Sequence, residues 1–349
     1  MEKEEKKRVA DIQRATDKAE KTADEINICV ATLSKIAVNY TKGVMKNRTD
    51  VRRIMSDEEL AIFLTLATDP TDIFSVVHTI TTTPGVSADT ISYVTSSEFR
   101  YLMKGIADAQ RMIDACTKMV NGDASHIFEN HLSDIVKSGY YREIYELHLR
   151  AGVAFPFQKI SNEYIRRLTS QDWLGNNYVN RLFKNTKLLA DTLKKEIIKG
   201  AIIGATEWEI TNALALKTAM AKNRIRRLVR TETVYYYTQA DMKAREACGI
   251  KKYMFLATLD KRTSAICRSL DGKIFYVEKE RPGYNCPPMH PWCRSTTLSI
   301  INTEWIKTQK RSALDPATGK KVKVPLTMKY VDWYRKYVLE GANDAATGN

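Results

Sequence analysis

Cysteines and long hydrophobic runs are scarce in this sequence, and both shortages exclude whole classes of protein. Six cysteines in 349 residues are too few for a disulfide scaffold. One of the densest apolar stretches, Leu60 to Ala67, is interrupted by Thr65 and is far shorter than the roughly 20 residues of a membrane-spanning helix. The charged N-terminus has no apolar core that would act as a signal peptide. We therefore expect synthesis in a cytoplasm and no membrane partner.

Signatures of a dedicated active site are missing as well. The sequence has no glycine-rich phosphate loop, no G-x-S-x-G nucleophile elbow and no zinc-deaminase signature. Of the five histidines, four have no partner at ligand spacing, namely His78, His126, His131 and His148. These absences favour a protein that is not an enzyme.

What is present is an ordinary globular composition, with 44% apolar and 28% charged residues. The length is typical of two or three domains. Apolar residues recur at steps of three and four from Ile12 to Ala37 and again from Phe99 to Val120, which predicts two long amphipathic helices. Cys116 lies on the second stripe, so we interpret it as a packing residue.

Capping boxes, in which Ser or Thr is followed three residues later by Glu, predict where helices begin. They occur at Ser56 and Glu59, at Thr95 and Glu98, and at Thr206 and Glu209. Between Thr81 and Ala88 we expect a loop. Further helices are predicted at 132–151, 162–168 and 182–197.

After Gly249 the pattern changes from helix to strand. Tyr253 to Thr258 and Lys273 to Val277 have strand composition, and Asp271-Gly272 between them predicts a hairpin-type turn. The predicted fold class is therefore α+β, mostly α-helical in the N-terminal two thirds with a small α+β C-terminal module.

Positive charge is concentrated in one region. Residues 161–300 hold 25 Lys or Arg against 13 Asp or Glu, and so carry +12 of the net charge of +14. Within it, a ridge on one predicted helix could follow a phosphate backbone; its members are Lys222, Arg226, Arg227 and Arg230. Tyr235, Tyr236 and Tyr237 could stack on bases or be buried. A solvated face, or an internal pair of Arg230 with Glu232, are the alternatives.

Three of the six cysteines and one histidine form the clearest local motif. Cys267, Cys286, His290 and Cys293 have the spacing C-x18-C-x3-H-x2-C, and their atoms suit the tetrahedral preference of Zn²⁺. Four protein ligands would close the site and make the zinc structural. The alternative is a group of buried thiols and a turn histidine without metal.

Polar residues around this motif have predicted structural roles. Asp260, preceding Arg262 and Thr263, could cap the helix that carries Cys267. Gly272, after Asp271, would supply the positive φ of the turn.

Several short strings resemble the phage head morphogenesis family, the minor head proteins that include the F protein of phage Mu. They are Arg230-Thr231-Glu232-Thr233, Asp260-Lys261-Arg262-Thr263, Leu270-Asp271-Gly272-Lys273 and His290-Pro291-Trp292-Cys293-Arg294, in this order along roughly 160–300. The resemblance implies a virion component inside the capsid at the portal vertex, acting in head assembly and in handling packaged DNA.

One departure from the family concerns two cysteines. Members often carry a Cys where this chain has Ser264 and another where it has Ser295. If those two cysteines pair with each other, Cys267, Cys286, His290 and Cys293 could still bind a metal. If they are ligands, the predicted ligand set changes.

The favoured hypothesis is a non-enzymatic minor capsid protein in three segments. A helical region, 1–155, would dock on portal, capsid or scaffold subunits; a Mu F-like domain, 156–302, would contact double-stranded DNA without reading its sequence; a C-terminal extension, 303–349, would follow.

Three alternatives remain open. One is a metal-dependent nuclease using His290 with Asp260 or Asp271. Another is a transferase acting on a dinucleotide through Arg230 and Glu232. The last is a structural oligomer without nucleic-acid contact.

Overall fold

The computed structural model describes residues 2–45, 54–67, 73–202, 205–301 and 307–340. These residues are mostly helical, with small antiparallel sheets toward the C-terminus, which confirms the predicted fold class. The long helices are α1 (Glu2–Met45), α5 (Ser97–Ala151), α7 (Tyr178–Ile202) and α8 (Glu207–Ala247). The shorter helices are α2 (Asp57–Ala67), α3 (Ile73–Thr82), α4 (Ala88–Thr95), α6 (Asn162–Ser170), α9 (Ala265–Leu270) and α10 (Tyr330–Tyr334).

Five short strands form two sheets. The strands are β1 (Lys252–Leu256), β2 (Ile274–Tyr276), β3 (Thr296–Ile300), β4 (Lys310–Leu314) and β5 (Lys321–Pro325). The first sheet has the order β2-β1-β3 and is antiparallel, with Met254 opposite both Ile274 and Leu298. The strands β4 and β5 form a separate hairpin. The predicted pairing of the first two strands is confirmed, although α9 lies within their connection.

The chain divides into two compact units, and both are built from discontinuous segments. The first, here called the mixed unit, comprises residues 1–23, 128–178 and 226–349; the second, the helical unit, comprises 24–127 and 179–225. The three consecutive segments proposed from the sequence stay a prediction. None of the described helices combines the length and the apolar character needed to cross a bilayer.

The interior of the helical unit is made by the predicted apolar stripes. Along α5, every stripe residue from Phe99 to Val120 is buried, including Cys116, which confirms its packing role. On α7, Leu182, Leu189 and Leu193 are likewise buried. On α8, Ile210 and Leu214 are buried, whereas Trp208 and Leu216 are exposed.

Two of the three predicted capping boxes are present. Glu59 accepts from the backbone N–H of Ser56 (2.8 Å) and donates its own N–H to the Ser56 hydroxyl; Thr206 and Glu209 are paired in the same way. The third is wrong by one residue. Thr95 ends α4, and the hydroxyl of Ser96 accepts from the N–H of Phe99 to begin α5.

Two further predictions about helix boundaries are corrected. Residues 132–151 are not a separate helix, because α5 continues without interruption from Ser97 to Ala151. The region between Thr81 and Ala88 is a shorter loop than expected, since α3 extends to Thr82. Asp69-Pro70-Thr71-Asp72, which by sequence would end the helix that begins after Ser56, lies outside the described residues.

Candidate functional site

The first arm of the candidate metal centre is the short helix α9. The side chain of Ser264 is its N-cap and accepts from the N–H of Cys267 at 3.4 Å, which fixes the cysteine in the first turn. This corrects the prediction that Asp260 caps the helix. Serine at this position therefore has a structural role that needs no metal.

The second arm is the turn that precedes β3. The N–H of Cys293 donates to the carbonyl of His290 at 3.1 Å, so the two side chains leave one tight turn. Trp292, between them, has a φ of +63°, a left-handed conformation that is unusual for a bulky residue. The turn thus accepts backbone strain where it brings His290 and Cys293 together.

The two arms meet in a compact group of three potential ligands. The ligand atoms of Cys267, His290 and Cys293 all lie within 4.8 Å of one another. The Cys267 sulfur is 3.4 Å from Nε2 of His290 and 3.9 Å from the Cys293 sulfur. Three of the four predicted ligands are therefore together, in a group whose donors suit zinc.

Cys286, the fourth predicted ligand, is not in this group, and this is a correction. It is fully buried and packs with Met242 and Tyr253. Burial, reinforced by the carboxylate of Glu280, raises its pKa well above that of an ordinary thiol. Its thiol is thus kept neutral, as expected of a packing residue.

The orientation of His290 points its Nε2 at the Cys267 sulfur. Its Nδ1 lies 2.8 Å from the carbonyl oxygen of Pro291, and because that oxygen can only accept, Nδ1 donates. Nε2, the other ring nitrogen, lies 3.4 Å from the Cys267 sulfur. A histidine whose second nitrogen is bound by a carbonyl is the usual arrangement in a metal site.

Hydrogen bonds make one of the two thiols more acidic. The Cys293 thiol donates to the Cys267 sulfur, and despite burial this bond, with those from Ser264, Ser295 and His290, lowers the pKa of Cys267. The same contact raises the pKa of Cys293. A thiolate is the form that binds a metal, so the surroundings of Cys267 favour a ligand. Neither serine was expected at the centre on physical grounds; both were singled out by the family comparison alone.

Asp260 joins two loops by a pair with Arg294. Two bonds link the carboxylate to the guanidinium, one of them 2.8 Å long, and Asp260 also accepts from the N–H of Arg262 and the hydroxyl of Thr263. Although burial alone would raise the pKa of Asp260, these bonds lower it. The Asp-x-Arg-Thr and Cys-Arg strings are therefore one structural unit around β1 and β3.

Asp271 has a similar role beside the turn. Its buried carboxylate accepts from Arg311 at 3.0 and 3.1 Å, and from the backbone N–H groups of Ala257 and Tyr330. Gly272, next to it, has a φ of +74°, as predicted. The partner Arg311 carried no signal in the sequence, because it lies 40 residues further along the chain.

A buried cation that sequence reasoning missed is Arg245. Its side chain is fully buried on α8 and donates to Glu143 (3.2 Å), to the hydroxyl of Ser299 (2.7 Å) and to that of Thr297 (2.8 Å). It thereby ties α5, α8 and β3 of the mixed unit together. Not all positive charge in this region is available to a partner.

The basic ridge on α8 is partly neutralised by the protein itself. Arg226 and Arg230 both pair with Glu20, at 2.9 and 3.0 Å, and Arg230 also lies over the ring of Trp292. Lys222 is half-buried, whereas Arg227 is exposed. The ridge is therefore not the continuous cationic surface that the sequence suggested. The carboxylate partner of Arg230 is Glu20 rather than the Glu232 proposed as an alternative.

The tyrosines that follow the ridge serve the interior. Tyr235 is buried and stacks on Trp173 with centroids 4.3 Å apart, and Tyr236 is fully buried. The guanidinium of Arg142 lies over Tyr237 at 4.2 Å. Of the two interpretations, burial rather than base stacking is correct for Tyr235 and Tyr236.

Neither enzymatic alternative finds an assembled site in the described residues. Asp260 and Asp271, proposed for a nuclease, bind arginines and are outside the group formed by Cys267, His290 and Cys293. Glu232, proposed for a transferase, is 1% exposed and accepts from the indole N–H of Trp173 at 2.7 Å.

Comparison with known proteins supports the resemblance to a phage family. Residues 191–298 match the family described as Phage Mu protein F like protein, which confirms the resemblance noted above. This range begins in α7, ends in β3 and contains the whole cysteine and histidine group. The match makes this segment similar to a phage head morphogenesis family.

A curated relative was also found. The chain is 27% identical over 230 residues to an NAD(+)--arginine ADP-ribosyltransferase EFV of Enterococcus faecalis, with 62% of this chain and 46% of the relative covered. The chain thus spans about half the length of that relative. No solved structure matches this chain.

Proposed function

We propose that this chain is a minor head protein of a tailed phage or prophage, made in the host cytoplasm and acting inside the capsid at the portal vertex. The match of residues 191–298 to the phage Mu F-like family carries this proposal. Its role is assembly rather than catalysis. Transferase activity is not proposed for this chain, because the similarity covers 46% of the transferase relative.

Docking on portal or capsid subunits is supported by exposed apolar side chains in the helical unit. Tyr101, Met112 and Met119 of α5 are 61%, 42% and 71% exposed. Their spacing of eleven and seven residues puts them on one face of the helix. Such a face is a suitable contact for another apolar surface.

Co-purification with assembled heads tests this role. The full chain should sediment with portal-containing heads, and Met112→Lys with Met119→Lys should abolish the association. A control with two exposed lysines changed, Lys35→Glu with Lys187→Glu, should retain it. Sedimentation of the wild-type chain apart from heads would contradict the proposal.

Contact with packaged DNA is supported by cations in the mixed unit that Glu20 does not neutralise. Lys252 and Lys279 lie over the exposed ring of Tyr276, at 5.0 and 5.8 Å from its centroid. Arg281 lies over the exposed Tyr284 at 5.2 Å. Cations on aromatic rings beside β2 fit a phosphate backbone without reading bases, so we assign the DNA contact to this surface and to Arg227.

The salt dependence of duplex binding by the full chain tests the DNA contact. Reversing Lys252 and Lys279 to Glu removes two phosphate contacts, so the slope of log affinity against log salt should fall by about 2. The double variant at Lys35 and Lys187 is the matched control for charge. Equal loss in both variants, or an affinity that does not depend on salt, would contradict this assignment.

We further propose that Cys267, His290 and Cys293 hold a structural zinc ion. Zinc would cross-link α9 to the turn before β3, beside the small apolar cluster that contains Phe255 and Met289. Elemental analysis of the purified full chain should find about one zinc per chain, and Cys293→Ser should lose it. Cys248→Ser is a control, because that thiol is buried elsewhere.

A further inference from the structure

The three-membered ligand group raises the question of what occupies a fourth position on the metal. Zinc in a structural site has four ligands, and a protein that supplies three leaves the fourth to water or to an exogenous ligand. Within the described residues, Cys267, His290 and Cys293 form the group, and no further Cys, His, Asp or Glu joins it. The sequence spacing predicted four protein ligands, whereas the geometry of the described residues provides three.

Ser264 stands next to this position. Its hydroxyl is 2.8 Å from Nε2 of His290, the atom that would bind the metal, and it is anchored by its role as the N-cap of α9. A neutral serine hydroxyl is not among the usual zinc ligands, but it is well placed to hydrogen-bond a water on the metal. The side chain therefore orients a fourth ligand rather than acting as one.

Solvent reaches the site from the same side. Both cysteines are buried, at 2% and 4% exposure, whereas Ser264 and His290 are half-buried and Pro291 is exposed. A metal at the centre would be shielded by its sulfur ligands on one side and accessible from the serine side. Small ligands can approach from that side.

We propose that the metal is held by two thiolates and one imidazole and keeps a fourth, exchangeable position beside Ser264, open to water or to a small anion. This inference rests on the proposed metal site. It differs from the four-ligand closed site predicted from the sequence, and it assigns the chain a place where an external ligand binds the metal.

Cobalt substitution of the full chain tests the open position. Co²⁺ reports its ligands directly, because thiolates give charge-transfer bands and the d–d bands respond to the fourth ligand. Adding azide to the Co²⁺-loaded wild-type chain should shift the d–d bands. Cys286→Ser should leave both sets of bands unchanged.

Closing the site by design provides the converse test. Ser264→Cys places a third thiolate at the fourth position, so the charge-transfer intensity should rise to that of three thiolates and azide should no longer shift the d–d bands. Ser269→Cys adds a thiol to the exposed side of the same helix and should behave like wild type. Far-UV circular dichroism confirms that each variant is folded.

The outcomes separate the two proposals. A chain that binds neither Co²⁺ nor Zn²⁺ overturns the metal site and this inference with it. A chain that binds one Co²⁺ but shows no azide response, or that loses a thiolate band in Cys286→Ser, retains the metal site and overturns the open position. The virion role is measured independently of both.

Discussion

The helical unit and the mixed unit are stabilised by different kinds of interior. In the helical unit, apolar stripes pack side by side, with Phe63 against Phe99 as a typical contact at 5.4 Å between centroids. In the mixed unit, buried ion pairs lie between short strands and loops, and the pair of Asp271 with Arg311 of β4 is an example. The interior of the helical unit is stabilised by close packing of apolar side chains, whereas that of the mixed unit also depends on pairing each buried charge with an opposite one.

This difference follows from element length. A long helix buries a continuous apolar face, so hydrophobic transfer alone can order it. Strands of three to five residues and a six-residue helix bury little apolar area, so directional bonds must define how they meet. The same reasoning explains why cysteine and histidine lie in the module of short elements.

The largest expected effect is the loss of a buried charge in the mixed unit. Asp271→Ala leaves Arg311 buried without its carboxylate and should lower the free energy of unfolding by about 3 to 5 kcal/mol. Urea unfolding of the full chain measures it. Asp315→Ala, in the exposed β4–β5 turn, is the control. If Asp271→Ala lowered the free energy of unfolding no more than this control, the mixed unit would not depend on its buried ion pairs.

A smaller effect is expected from Glu59, a buried carboxylate of the helical unit. Glu59 accepts from the N–H groups of Ser87 and Ser56 and from the hydroxyl of Thr90, so Glu59→Gln should cost about 2 kcal/mol at neutral pH. The control is Glu209→Gln, whose capping box is exposed.

The pH dependence of that effect has a definite sign. The bond from the backbone of Ser87 is the main reason that the pKa of Glu59 is lowered from 4.5 to about 2. Its stabilisation is therefore complete above about pH 4.5 and is lost as the pH falls through about 2. The difference between wild type and Glu59→Gln should shrink over this range; a constant difference would contradict it.

Removing one methyl group from the helical interior should cost less. Ile113 is fully buried on the stripe of α5, and Ile113→Val should lower the unfolding free energy by about 1 kcal/mol. Chemical denaturation measures the change, with the exposed Met119→Leu as a control expected to be neutral. If Ile113→Val lowered the free energy of unfolding as much as Asp271→Ala, a lost methyl group would cost as much as a broken buried ion pair, which would contradict this prediction.

The smallest effect is expected at the neutralised part of the ridge. Arg226 and Glu20 are both more than 30% exposed, so Arg226→Ala should change stability by about 0.5 kcal/mol or less. It should also weaken DNA binding less than Arg227→Ala, because Arg226 is already paired. A stronger DNA defect in Arg226→Ala would restore the ridge as the interface.

Local features were predictable because their causes lie within a few residues. The boxes at Ser56 and Thr206 and the stripe from Phe99 to Val120 required only neighbours one or two turns away. The error at Thr95 arises because capping rules use only nearby residues. Ser96 is an equally good N-cap one residue later, and Thr95 is the last residue of the short helix α4. Local rules could not choose between adjacent candidates.

The metal centre was predictable only in part. Sequence spacing placed Cys267, His290 and Cys293 in one segment but could not separate them from Cys286, which lies between them along the chain. The fold directs Cys286 toward Tyr253 and Met242 instead. The ridge failed for a similar reason, since Glu20 is 210 residues from Arg230 in sequence.

The sequence by itself determined the long helical segments, the starts of α2 and α8, and which segment could bind a metal, because periodicity, capping and ligand chemistry act over short distances. Only the tertiary structure decided which ligands meet and which charges remain exposed. Arg245 and Glu143, 102 residues apart, illustrate the reason: a buried pair forms when chain segments converge in space, and no local pattern records that convergence.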